Sequence, residues 1–179
     1  AALIHMVFFS HQWTSSSEPD PSGKQFATMA AALDTIIRAN GWEWATTWVW
    51  VDFTSIPQKA RAMQAAAINS LSSYASEADA FVIVAPEVVH STTQQLCDRH
   101  SYLRRMWCRA ENLCHYLDAG SVHMWLATSP TACTALDDCT ATEGHSDFVQ
   151  SNLRVFDGEA TVESDKLSLV LPVLGLYAG

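Results

Sequence analysis

The chain has 179 residues, 49% hydrophobic and 16% charged, with a formal net charge of -9. That length is enough for one domain to bury a core without disulfides or metal, and the composition excludes disorder and a coiled coil. The acidic balance excludes a general binder of nucleic acid or anionic membrane, while the basic stretch from Arg99 to Arg109 leaves room for a local anion.

In chain order, Ile4 to Phe9 is a short apolar run that stops at Ser10-His11-Gln12-Trp13, the pattern of a buried strand ending at a site-forming loop. Ser22-Gly-Lys-Gln25 matches a capping box and predicts a helix with Phe26, Met29, Ala30, Leu33, Ile36 and Ile37 on its apolar face, stopped by Asn40-Gly41. Thr46 to Val51 is β-branched and aromatic, a second strand, and leads into the loop Asp52 to Gln58. A helix carrying Met63, Ala67, Ile68, Leu71, Tyr74 and Ala75 on one face follows and runs to about Ser76. Ala80 to Ala85 is a third strand, ended by Pro86 because proline cannot continue a ladder.

After a mixed loop from Glu87 to Tyr102 comes a helix with the stripe Leu103, Trp107, Ala110, Cys114 and Leu117, stopped by Gly120. Trp107 and Glu111 stand four residues apart and share a helix face. The plain reading of that pair is a core indole and a surface carboxylate bonded to Arg104 or a neighbour. Val122 to Ala127 is strand four. Thr128 to Asn152 has no clear period and receives no assignment, Leu153 to Phe156 is a fifth strand, and Asp165 caps a last helix, Lys166 to Leu176, kinked at Pro172. The absence of a repeat or linker makes residues 1–179 a single domain, expected to be a module of a longer protein.

Strands alternating with helices at this spacing give an α/β protein with a mainly parallel, five-stranded sheet covered on both faces. Ligands of open parallel sheets bind beyond the carboxyl ends of the strands. Those ends are Ser10 to Trp13, Asp52 to Gln58 and Pro86 to His90, and the helix bearing Glu111 starts near the same rim. The chain has no G-x-G-x-x-G, G-x-x-x-x-G-K-[ST] or G-x-S-x-G, which disfavours hydride-transfer dinucleotide binding, nucleotide triphosphatase activity and α/β-hydrolase chemistry. His5 and His123 read as strand residues. A Ser10-His11 catalytic pair is disfavoured because neighbours on an extended chain point to opposite faces.

The cysteines, Cys97, Cys108, Cys114, Cys133 and Cys139, are odd in number and lack C-x-x-C spacing, so reduced thiols are expected. Cys108, Cys114 and His115 fit no common zinc template, and no metal site is expected. Apolar runs too short to span a bilayer point to a cytoplasmic protein without membrane contact.

Four elements in register, Phe8-Phe9-Ser10-His11, Trp50-Val51-Asp52, Phe81-Val82-Ile83-Val84 and Trp107-Cys108-Arg109-Ala110-Glu111, together resemble a Toll/interleukin receptor (TIR) domain over roughly three quarters of the chain. The wording Ser-His-x-Trp and Trp-Val-Asp…Ile-Pro-Gln is similar to the TIR-related branch that includes fungal heterokaryon-incompatibility domains and algal proteins. The resemblance implies a flavodoxin-like three-layer sandwich and cleavage of NAD+ at the nicotinamide–ribose bond, with NAD+ as substrate and no further cofactor. It implies Glu111 as the catalytic carboxylate and Trp107 near the nicotinamide end. Ser10 and His11 would form the pocket floor, and Asp52 to Lys59 a loop that gates substrate and mediates self-association. Two departures stand out: the loop Phe-Thr-Ser-Ile-Pro-Gln lacks the glycine of many TIR domains, and the segment after Ala127 has no counterpart.

Such chemistry suits the residues, because nicotinamide leaves as a neutral molecule and the barrier is the positive charge that grows on the ribose, which a carboxylate stabilises. Trp13, Phe53 and Trp107 are candidates to stack on nicotinamide or adenine, with Asp52 beside them. Arg104, Arg105 and Arg109 are candidates for the diphosphate, against the plainer reading of solvated surface arginines. Two other functions fit the same residues: a self-associating module without catalysis, and a glycosidase acting on a different nucleoside or nucleotide.

Overall fold

The computed structural model describes residues 3–57, 59–136, 153–160, 163, 166–170 and 173. In chain order it comprises β1 (His5–His11), α1 (Lys24–Asn40), β2 (Thr47–Val51), α2 (Asp52–Ser55), α3 (Arg61–Asn69), α4 (Leu71–Ser76) and β3 (Ala80–Val84). It continues with β4 (Val88–Val89), β5 (Leu96–Cys97), α5 (Arg99–Arg104), α6 (Met106–Ala119), β6 (Met124–Ser129) and β7 (Ala132–Ala135). The sheet order is β2-β1-β3-β6-β7; β1 pairs parallel with β2 and β3, β3 parallel with β6, and β7 antiparallel with β6. With helices on the sheet's faces this is a flavodoxin-like α/β sandwich.

The period of two along β1 divides its side chains between two cores. Phe8, with Phe81, Ile83, Met124 and Leu126, meets Leu71 and Ala75 of α4, Tyr102 of α5 and Cys108 and Cys114 of α6. Phe8 stacks on Phe81 at 5.2 Å and on Trp50 at 4.2 Å. Burying each ring contributes on the order of 2–3 kcal/mol. Val7 and Phe9, with Val82, Val84 and Ala127, meet Met29, Ala32 and Ile36 of α1 on the opposite face. Ser10 continues the first row and His11 the second. β1 thus delivers adjacent residues to different helices at its carboxyl end.

Helix α6 is covered twice. Its inner side joins the first core, and Met106, Ala110 and Leu113 form a third cluster with Val155, Leu169 and Val173. That second cover explains why Ala110 to His115 are all buried, instead of a single amphipathic stripe. Leu117, expected on the stripe, is 47% exposed. Residues 153–160 reach the start of α6 through hydrogen bonds from Glu159 N to Arg104 O and from Met106 N to Glu159 O. Contact is close at Gly158, where an added Cβ would lie 2.7 Å from Met106 Cα.

Several expectations are corrected. The fifth strand of the sheet is β7, inside the unassigned stretch, whereas Val155–Asp157 forms a 3-10 turn whose Val155 packs against α6. A tight turn at residues 130–131 folds β7 back on β6, so that edge of the sheet is antiparallel. The capping box at Ser22 does not form. Gly23 is the N-cap with φ 70° and no side-chain cap bond, while Asp20 accepts from Phe26 N at 2.8 Å. Phe26, 72% exposed, lies off the buried face, which runs through Gln25, Thr28, Met29, Ala32, Ile36 and Ile37.

The helix expected through Ser76 breaks at Ser70 into α3 and α4, and Met63 and Tyr74 stay exposed. The loop from Glu87 to Tyr102 holds a small hairpin, β4 with β5, and the start of α5, whose cap is a reciprocal box between Asp98 and Ser101. Strand four begins at Met124, with His123 ahead of it and exposed. Residues 166–170 are helical, and Asp165, Pro172 and Leu176 of the expected last helix lie outside the described residues, as do Gln58, Cys139 and the stretch 137–152. Gly120 stops α6 with φ 67° as expected.

Candidate functional site at the carboxyl end of β1

Four helices converge on the last two residues of β1. On one face the Ser10 hydroxyl donates to Glu111 Oε2 of α6 and lies 2.6 Å from the Tyr102 hydroxyl of α5. On the other face His11 Nδ1 lies 2.6 Å from Gln25 Oε1 of α1, and Nε2 lies 2.9 Å from Asp52 Oδ1 at the start of α2. Asp52 Oδ2 accepts from Trp13 Nε1 at 2.8 Å, and Phe53 N donates to Oδ1 at 2.6 Å. The rings of Trp13 and Phe53 meet edge to face at 6.0 Å. Ser10 and His11 therefore do not form a pair, for the geometric reason given by the pleat.

Proton accounting fixes the state of His11. Gln25 Nε2 donates to Gln12 O at 2.8 Å, so the amide presents its oxygen to His11 Nδ1, and that nitrogen carries a hydrogen. The other nitrogen faces a carboxylate, an acceptor as well. Both ring nitrogens donate, which makes His11 an imidazolium. Burial pulls its pKa down, but the hydrogen bond and charge of Asp52, then Gln25 and Glu111, outweigh burial and leave it raised. Asp52 is the mirror case: burial pushes it up, and the bonds and charge from His11, Trp13 and Phe53 N hold it below the usual carboxylate range. The pair at 2.9 Å is a buried ion pair that ties the loop after β2 to β1.

Glu111 has no such compensation. Burial pushes its carboxyl up to about 8; the Ser10 bond and the His11 charge oppose burial, and the Asp52 charge adds to it. Only 9% exposed, Glu111 keeps its proton at pH 7 in the free protein. The thiols of Cys108 and Cys114 are driven up by burial, Cys114 to about 12, and Cys108 Sγ donates to His11 O at 3.8 Å.

The residues the sequence singled out fall into two bonded groups at the end of β1, Ser10 with Glu111 on one face and His11, Asp52 and Trp13 on the other, with Phe53, 44% exposed, at the edge of the second. Trp107 does not join them; half-buried, it packs between the first and third clusters. Arg104 pairs with Glu159 at 3.6 Å, and Arg109 is spent on backbone carbonyls, those of Leu103 and of Arg154 at 3.0 Å. His115 is buried with Nδ1 2.9 Å from Ala75 O, and among the described residues no three His, Cys, Asp or Glu are arranged to hold a metal ion.

Sequence reasoning missed Gln25, Tyr102 and Asn112. Gln25 matched a cap signature and is instead buried between His11 and Gln12. Tyr102 stood at the end of a loop of mixed polarity, and Asn112 carried no signal beyond lying next to Glu111. Among the described residues no helix is long and apolar enough to cross a membrane. Comparison of the chain with protein-family models, with curated proteins and with solved structures gives no match.

Proposed function

We propose that the chain is an NAD+ nucleosidase that cleaves the nicotinamide–ribose bond with Glu111 as the reacting carboxylate and releases nicotinamide with ADP-ribose or its cyclised form. The observation that carries this reading is the buried, Ser10-bonded Glu111 at the carboxyl end of β1, where parallel sheets take their ligands, within reach of the charge of Asp52, which is itself bonded to Trp13 and Phe53. The TIR-like wording of the four strand and helix motifs supports it independently.

A carboxyl at about 8 fits a cationic substrate. The pyridinium of NAD+ brings a positive charge that lowers the carboxyl pKa on binding. Opposite charges about 4 Å apart at an effective dielectric of about 20 attract by about 4 kcal/mol, enough to bring such a group below neutrality. The ionised Glu111 then faces the ribose as the C1′–N bond breaks and the electron pair leaves with nicotinamide. Water, or an adenine nitrogen in a cyclase, attacks C1′, and the proton it loses passes to Glu111 or to solvent. A fixed Ser10 donor keeps the carboxylate oriented. Signalling in cell death or defence, a cytoplasmic location and self-association through Asp52 to Lys59 belong to the same reading.

The raised carboxyl also favours a second reading, a glycosidase for neutral nucleosides, whose departing base needs the proton a neutral Glu111 would supply. Purified chain at high concentration, wild type beside Glu111→Ala, is incubated with NAD+ and with neutral nucleosides while nicotinamide and free base are measured. Nicotinamide released by wild type alone supports the first reading. Free base released from nucleosides alone selects the second, and no turnover with self-association intact leaves an assembly module.

A further inference from the structure

Tyr102 and Asn112 are fully buried, and their polar atoms are bonded to each other. Asn112 Nδ2 lies 2.7 Å from the Tyr102 hydroxyl and 2.6 Å from Cys108 O, one turn back on α6. A flipped amide would set two carbonyl oxygens against each other at that second contact, so the amide nitrogen faces Tyr102. Asn112 Oδ1 is left buried without a hydrogen-bond partner among the described residues. An orphaned acceptor is destabilising, and natural cores mostly avoid one.

With Asn112 donating, the Tyr102 oxygen accepts and its own proton turns to Ser10 Oγ, 2.6 Å away. Ser10 accepts that proton and directs its hydrogen to Glu111 Oε2. Every hydrogen in the chain Asn112, Tyr102, Ser10 points toward Glu111. If Glu111 carried its proton on Oε2 toward Ser10, the Ser10 hydrogen would lose its acceptor. The chain therefore favours the carboxylate, or confines the acid proton to Oε1. Burial keeps the Tyr102 phenol protonated, so the donor is permanent in the working pH range.

We propose that Tyr102, steered by Asn112, is a positioning residue for Glu111 and acts on it through the Ser10 hydroxyl. The inference rests on the reading of Glu111 as the reacting group. The titratable groups around that carboxyl are His11 of β1, Asp52 of α2, Tyr102 of α5 and Cys108 and Cys114 of α6, and among them Tyr102 alone is joined to it by a shared hydroxyl.

The test is a carbon-13 titration of the Glu111 side-chain carboxyl in the full chain, run beside the pH dependence of nicotinamide release from NAD+. Tyr102→Phe is expected to raise the carboxyl midpoint by about one pH unit and to move the activity profile with it. Because the effect runs through Ser10, adding Tyr102→Phe to Ser10→Ala is expected to move neither. A midpoint left in place by Tyr102→Phe, or moved equally in the Ser10→Ala background, overturns the proposal. Should Tyr102→Phe not fold, 3-fluorotyrosine at position 102 keeps the shape and strengthens the donor; a lowered midpoint supports the coupling and an unchanged one overturns it. A chain that releases no nicotinamide refutes the enzymatic reading, while the carboxyl titration still decides the coupling.

Discussion

Burial takes from Glu111 the hydration that stabilises a carboxylate, and the Ser10 hydroxyl returns only part of it. The folded chain binds that proton up to about 8, the unfolded chain only up to the ordinary 4.5. Between those two values the folded state holds more protons, so stability falls as pH rises through the window. Glutamine keeps the shape and the acceptor without the charge. Glu111→Gln is expected to be close to wild type in stability at pH 5 and more stable than it at pH 9, by up to roughly 5 kcal/mol, in denaturant titrations. An equal gap at both pH values would show that Glu111 carries no titration penalty. The place of Glu111 near the edge of the parallel sheet was legible from where its helix starts, but its burial and its Ser10 bond were not, because its four-residue spacing from Trp107 reads equally as a surface carboxylate paired with Arg104. Gln25 was not legible, since glutamine three residues after serine is equally a cap and a buried bridge, and only the position of His11 decides between them.

At the scale of elements, local chemistry named the helices and strands better than it named their ends. The buried runs of β1 and β3 were readable because residues covered on both faces leave continuous apolar sequence. For α1 the period was right and its phase was displaced by one residue: Asp20 Oδ2 accepts from Phe26 N at 2.8 Å, Ser22 Oγ accepts only the longer 3.3 Å bond from Lys24 N, and Phe26 faces outward. Asp20→Ala is therefore expected to lower stability by about 1 kcal/mol in thermal or denaturant unfolding, and Ser22→Ala by less. The reverse order would restore the serine cap.

Leu153 to Phe156 was misread as a strand because it has strand composition. Its apolar residue Val155 instead fills the outer face of α6. Gly158 permits that approach at an ordinary backbone conformation, with φ -80°, so the requirement is space and not dihedral freedom. A Cβ there meets Met106 N and Cα, backbone atoms that cannot swing aside. Gly158→Ala is expected to cost about 1–3 kcal/mol and to loosen the amino end of α6, read as faster amide exchange from Met106 to Arg109.

Over the whole molecule, the sheet order places β1 inside the sheet, between β2 and β3, and its end is reached from α1, the start of α2, α5 and α6 together. The alternation of strands and helices gave the ends of β1 and β2 and the start of the Glu111 helix, but not the parts of α1 and α5. Tyr102 and Asn112 stayed hidden because their roles are set by tertiary contacts between α5, α6 and β1, which leave no period or motif in the chain. The same convergence concentrates in one place a neutral acid, a buried ion pair and an exposed aromatic edge. Turnover of a cationic glycoside is the property this arrangement predicts.

The most direct test is the rate of nicotinamide release from NAD+ at concentrated protein across pH 5 to 9, for wild type and Glu111→Gln. With subsaturating NAD+ the wild-type rate is expected to rise with pH and level off above about 8, where the free enzyme's carboxyl is ionised, and Glu111→Gln is expected to lose at least about a hundredfold at every pH. Release that is absent at every pH from a folded wild type, or equal in the two proteins, would contradict the account.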